Sequence, residues 1–147
     1  IKELMAQAEE LVAEGKMTKE AAEYIYFKSI LAFAKSPVGM RMRNAFLNET
    51  LKREQPFVMS VPASEADPSY PEDETILVQG IIDAWFPEGD EIVLVDYKTD
   101  RVKEVGELKK RYEKQLAYYQ QALERTTGKK VKEKIIYSLA LDEELVL

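Results

Sequence analysis

Apolar residues recur every three or four positions through the first third of the chain. From Lys52 onward they recur every second position, so the pattern changes from helical to strand periodicity. Ile1, Leu4, Met5, Ala8, Leu11 and Val12 predict a first helix that Gly15 stops. The chain opens on it without a cap, which is expected of a fragment entered part-way along a helix. Thr18 caps a second helix with a broad apolar face of Ala21, Tyr24, Ile25, Phe27 and Leu31. Ser36-Pro37 reads as cap and first residue of a third, carrying Met40, Arg41, Arg43 and Phe46. Phe57, Met59 and Val61 then alternate with Val58 and Ser60 in a strand that Pro62 ends. Residues 63–74 are polar and acidic, with Pro68 and Pro71, and predict an exposed loop. Strands over 75–86 and 91–99 follow, joined by Pro87-Glu88-Gly89-Asp90 as a hairpin. A long helix runs from Val105 or Gly106 to Thr127, stopped by Gly128, and a last strand over 131–141 leads into a short tail. The expected fold is α/β: a helical part over 1–48, then over 52–147 a mostly antiparallel sheet crossed by one long helix.

Composition narrows the chemistry. The 147 residues fit one domain, and 46% hydrophobic with 33% charged residues is ordinary for a water-soluble one. No apolar stretch is long enough to span a bilayer and no signal-peptide pattern opens the chain, so the expected compartment is the cytoplasm. With no cysteine and no histidine, disulfides, thiolate nucleophiles, cysteine-ligated iron–sulfur clusters and the common zinc sites are excluded. A metal would need oxygen ligands, which favours magnesium, manganese or calcium. The net charge of −6 is unevenly spread. Residues 54–97 hold 11 acids and no lysine or arginine, whereas 98–134 hold 12 bases against 6 acids. The basic run reads most simply as a solvated helix face; beside an acidic metal site it would also suit a phosphate backbone.

The middle of the chain places charge inside an apolar run: Gly80-Ile81-Ile82-Asp83, then Val95-Asp96-Tyr97-Lys98-Thr99. Ionised groups persist in such surroundings only when paired, hydrogen-bonded or bound to metal. Asp96 and Lys98 share a strand face. Closing the hairpin symmetrically around residues 87–90 sets Leu94 opposite Asp83 and Asp96 diagonal to it, roughly 7–8 Å away at the backbone. Gly80 leaves room for a close backbone approach. Asp83 and Asp96 are therefore candidate ligands of a hard cation, with the Tyr97 carbonyl and Glu54, just before the first strand, as further candidates. Lys98 would orient water or stabilise charge at a phosphoryl group. On the long helix Gln115 and Tyr119 share a face beside the apolar stripe Leu108, Tyr112, Leu116 and Leu123, so Gln115 can reach the same site. A lone D-x-K is most often a charge pair on an exposed strand; Asp83 at hairpin distance lifts this one above that reading.

Gly80-Ile81-Ile82-Asp83, Asp96-Tyr97-Lys98-Thr99 and Gln115-Leu116 with Tyr119 resemble successive motifs of the RecB-type nucleases of the PD-(D/E)XK superfamily. Arg53-Glu54 and Pro56-Phe57 resemble the strand that precedes them, and the whole stretch resembles the C-terminal nuclease domain of AddA-type helicase–nuclease subunits. The resemblance implies a restriction-endonuclease-like fold and a magnesium-dependent deoxyribonuclease, expected to be an exonuclease, with manganese as substitute metal. Asp83, Asp96, Lys98, Gln115 and Tyr119 are the site residues it implies. It further implies DNA as substrate, an AddB-like partner, ATP used only by a helicase part outside this chain, and recombinational repair of double-strand breaks. Two departures stand out. The family's upstream metal-binding histidine is missing, expected to lie in a longer parent protein, and the iron–sulfur cysteines of AddB-like and Cas4-like relatives are absent. The alternative is a nuclease-like module without catalysis that docks DNA or a partner protein; a restriction-type or stand-alone nuclease of the same superfamily is a third reading.

Overall fold

The computed structural model describes residues 1–147. Four helices come first: α1 (Lys2–Ala13), α2 (Lys19–Glu23), α3 (Phe27–Lys35) and α4 (Pro37–Leu47). Then follow β1 (Lys52–Pro62), α5 (Ala63–Ala66), β2 (Thr75–Glu88), β3 (Glu91–Lys98), α6 (Gly106–Thr127), β4 (Val131–Ser138) and β5 (Glu143–Val146). The five strands form one sheet in the order β1-β2-β3-β4-β5, antiparallel except for the parallel β3–β4 pair that α6 connects. This is the mixed, mostly antiparallel α/β architecture expected from the sequence. No helix is long and apolar enough to cross a membrane.

Helix punctuation follows the predicted caps. Thr18 Oγ1 accepts from the Ala21 amide at 3.1 Å, and Ser36 Oγ accepts from the Gly39 amide at 3.0 Å while donating to the Phe33 carbonyl at 2.7 Å. That double contact makes a tight corner between α3 and α4. A Cβ on Gly39 would lie 1.9 Å from the Phe33 carbonyl oxygen, so only glycine fits. Gly39→Ala is expected to cost about 1–3 kcal/mol or more of stability, because backbone rather than a flexible side chain must move. Urea unfolding followed by circular dichroism measures it.

Four expectations are corrected. The second helix is two, α2 and α3, broken at residues 24–26, where Tyr24 and Tyr26 are 77% and 73% exposed. A run of aromatic and β-branched residues loses side-chain freedom in a helix, and these rings find no face to pack on. Residues 63–74 are not all loop, since Ala63 is buried and opens α5. The C-terminal tail pairs antiparallel with β4 as β5 after a turn at Leu139–Asp142, so the last long strand stops at Ser138.

The fourth correction bears on the site. Pro87 and Glu88 belong to β2, and Gly89-Asp90 alone make the turn. Gly89, at φ +64, takes the first turn position, where a two-residue hairpin of this type needs glycine. Pro87 is tolerated because it lies beyond the end of β1, whose pairing with β2 stops at Lys52↔Trp85. The β2–β3 register therefore pairs Trp85 with Leu94 and Ala84 with Val95. Asp83 and Asp96 are the next positions along, opposite each other rather than diagonal. A shift by an even number of residues leaves the paired positions Ala84 to Glu88 on their expected faces.

The sheet is covered on both sides. Val38, Met42 and Ala45 of α4, with Phe33 of α3, pack on Ala84, Phe86, Val93, Val95, Ile135 and Tyr137. On the other face Leu108, Leu116, Tyr119 and Leu123 of α6 pack on Ile82, Ile92, Leu94 and Ile136. Central β3 is thus buried on both faces from Ile92 to Asp96, which explains its unbroken apolar run. At the hairpin end of the sheet Arg41 of α4 holds Glu88 (2.8 and 2.9 Å) and Glu133 (2.8 Å), and Lys132 Nζ adds 2.9 Å to Glu88. These contacts, Arg41 first, lower the Glu88 carboxyl from 4.5 to about 2. A depressed carboxyl contributes stability above its unfolded value and loses it as pH falls toward the folded one. Between pH 4.5 and 2 the chain is expected to lose about 1 kcal/mol more than Glu88→Gln does, a figure reduced for the partial exposure of the pair. Denaturation across that pH range checks it.

Candidate active site

The strand that carries Asp96 and Lys98 runs out of the buried sheet just where its partner ladder fails. Pairing of β2 with β3 ends at Ala84↔Val95, and in the β1–β2 ladder the Glu54–Asp83 pair is missing, with Glu54 at φ +50. Ile82 packs on the α6 side but Ala84 on the α4 side, so strand alternation is interrupted at Asp83. The gap is bridged by chemistry instead: the Tyr97 amide donates to Asp83 Oδ2 at 2.8 Å. A carboxylate stands where a backbone carbonyl would have been, and it binds Asp83 to the residue between Asp96 and Lys98.

Asp96 is 1% exposed. Burial raises its carboxyl above the usual range, the Lys98 ammonium pulls it back, and the charge of Asp83 adds a further rise. Lys98 Nζ stands 2.7 Å from Asp96 Oδ2 and is the counter-ion of this buried carboxylate. The same ammonium donates to Gln115 Oε1 at 2.9 Å. Asp83, Asp96, Lys98 and Gln115 are therefore brought together from β2, β3 and α6. Tyr119, one turn beyond Gln115, is buried with its ring edge-on to Phe57, centroids 5.5 Å apart. Burial first, then Asp96 and Asp83, raises its phenol. The room left by Gly80 is filled by these rings and not by backbone: a Cβ there would meet Phe57 at 3.0 Å and Tyr119 at 3.5 Å.

Glu54 borders the same opening as Asp83 and makes no hydrogen bond to Asp96, Lys98 or Gln115. It lies inside β1 rather than before it and is exposed, on the wall of an open cleft of about 870 Å³ that also borders Asp83 and Tyr97. No set of three His, Cys, Asp or Glu side chains converges on one point. Two neighbouring carboxylates, one of them buried with a single lysine as counter-ion, fit a hard dication that keeps most of its ligands as water, the habit of magnesium. Two features escaped the sequence reading. Lys52 and Arg53 line the cleft and give it cations beside Asp83. Tyr112, assigned to the apolar stripe, lies with its ring centroid 4.0 Å from Lys98 Nζ. Only the i, i+3 spacing of Tyr112 and Gln115 could have pointed to the second.

The family model for the PD-(D/E)XK nuclease superfamily matches residues 2–145. The chain belongs to that superfamily. Among curated proteins it is 40% identical over 144 residues to an AddA-type ATP-dependent helicase/nuclease of Clostridium botulinum (strain Loch Maree), and 38% identical over 144 residues to its counterpart in Clostridium kluyveri. In both comparisons 95% of this chain is covered and 11% of the relative, so the chain spans about one-ninth of the length of the proteins it matches.

Proposed function

We propose that residues 1–147 form a nuclease domain that hydrolyses phosphodiester bonds of DNA with a divalent cation, magnesium or manganese. The observation that carries this reading is the convergence of Asp83, Asp96, Lys98 and Gln115 at an opening in the sheet, with Asp96 buried. Burying a carboxylate beside another acid is unfavourable for the fold alone, and a cation relieves it. Asp83 and Asp96 would hold that cation, with the Tyr97 carbonyl as a further oxygen. When bound, such an ion neutralises phosphoryl oxygens and lowers the pKa of water. Lys98, held by Asp96 and Gln115, points its ammonium at the same place and donates to the phosphoryl oxygen on which charge develops. Lys52 and Arg53 would take flanking phosphates in the cleft, and Tyr119 with Phe57 keeps water from the far side.

The relatives' names support a larger setting, a parent ATP-dependent helicase–nuclease; that the parent is cytoplasmic and feeds unwound DNA to this domain, which acts as an exonuclease, is part of the proposal. An AddB-like partner and a role in recombinational repair of double-strand breaks belong to the same proposal.

Magnesium titration followed by isothermal calorimetry tests the ligand set. Asp83→Asn keeps an acceptor for the Tyr97 amide, so it is expected to fold as the parent does while losing at least about tenfold in affinity. Asp83→Ala orphans that amide as well and should lose a further ~1–3 kcal/mol of stability. Equal magnesium affinity in all three proteins would overturn the assignment.

A further inference from the structure

We propose that Tyr112 is a positioning residue for the Lys98 ammonium and that Asp100 in turn fixes Tyr112; this rests on the nuclease reading of the site. Lys98 ends a flexible side chain, and its direction is set by three contacts: Asp96 Oδ2 at 2.7 Å, Gln115 Oε1 at 2.9 Å and the Tyr112 ring at 4.0 Å. The first of these is also an expected cation ligand. An oxygen shared with a dication holds an ammonium less well, so Gln115 and the ring remain to keep Lys98 in place. An aromatic face suits that duty: it attracts an ammonium through its quadrupole, most strongly where water is scarce, yet offers no anionic oxygen to compete for the metal. The Lys98 side chain is only 13% exposed.

The ring is itself held. The Tyr112 hydroxyl lies 2.9 Å from both oxygens of Asp100, and Arg111 donates to Asp100 Oδ1 at 3.2 Å. Asp100 sits two residues beyond Lys98, so the contact ties the end of β3 to the first half of α6 at the height of the ammonium. Leucine would satisfy the stripe's packing on the sheet; it would supply neither the face nor the tether.

The test replaces Tyr112 in the 147-residue chain by Phe, by mono-, di- and trifluorinated phenylalanines, and by Leu, with Lys98→Ala alongside. Fluorines drain the ring face and change its shape little. Magnesium-dependent cutting of linear DNA is expected to fall severalfold in Tyr112→Phe, stepwise further with each fluorine, and by roughly 10–100-fold in Tyr112→Leu, in kcat with KM for DNA unchanged. A second readout needs neither metal nor DNA: by NMR the Lys98 ε-methylene protons should lie upfield through the ring current and return to their ordinary position in Tyr112→Leu. A flat fluorine series, or unshifted Lys98 protons, with Lys98→Ala inactive would overturn the role of Tyr112 and leave the nuclease reading standing. Lys98→Ala cutting as well as the parent chain would overturn both. Should Tyr112→Leu fail to fold, the fluorine series alone decides.

Discussion

Asp96→Ala is expected to abolish magnesium-dependent cutting, by about three orders of magnitude, while the protein stays folded. The residue is buried on the α6 face of a strand enclosed on both sides, and its charge is the worst solvated in the site. Without a cation, the ion pair with Lys98 and the nearby Asp83 leave Asp96 poorly compensated; truncation removes that burden along with the ligand. Two signs should therefore separate in a melting experiment. Magnesium should raise the melting temperature of the parent chain and leave that of Asp96→Ala unmoved, because a ligand that binds only the folded state stabilises it by mass action. Thermal melts with and without magnesium, run beside a gel assay of cutting, read both. Equal stabilisation of the two proteins by magnesium would remove Asp96 from the ligand set.

Lys98→Ala is the second large effect, roughly 100- to 1,000-fold in kcat, with magnesium affinity kept or raised. Its ammonium competes with a cation for Asp96 Oδ2, so loss of the lysine frees that oxygen while removing the donor to the phosphoryl group. Lys98→Arg keeps the charge but cannot fit the same place between Asp96, Gln115 and the Tyr112 ring, and should recover little activity. Steady-state cutting of labelled DNA, with magnesium binding measured by calorimetry, separates the two roles.

What the sequence could carry was local. Asp96 and Lys98 share a face because strand period is two, and that holds whatever the strand's partners; the caps at Thr18 and Ser36 are likewise written in adjacent residues. Register was not local. It hinged on whether Pro87 and Glu88 ended β2 or continued it, and the answer lies in where β1 stops, far back along the chain at Lys52. The break between α2 and α3 was hidden because Tyr24 and Phe27 read as helix-face residues until the lack of a surface to cover Tyr24 is known. β5 looked like a tail since four residues carry too little pattern to predict pairing with β4. In the site, Gln115 was legible from its place on α6. The Tyr112 ring under Lys98 was not, because apolar periodicity assigns an aromatic to the stripe and says nothing of which lysine crosses it. The interruption opposite Glu54, which opens the sheet at Asp83, has no sequence signature at all: it takes a non-glycine residue at φ +50.

The most direct measurement is the fate of end-labelled linear DNA mixed with this chain in magnesium, in EDTA, and with Lys98→Ala in magnesium. Cutting in the first condition alone is the expected result, and it would establish a metal-dependent nuclease site of which Lys98 is part. Folded protein that leaves the DNA intact in all three, or cuts it equally in all three, would contradict the account; the first of these would point instead to a nuclease-like module that docks DNA or a partner protein.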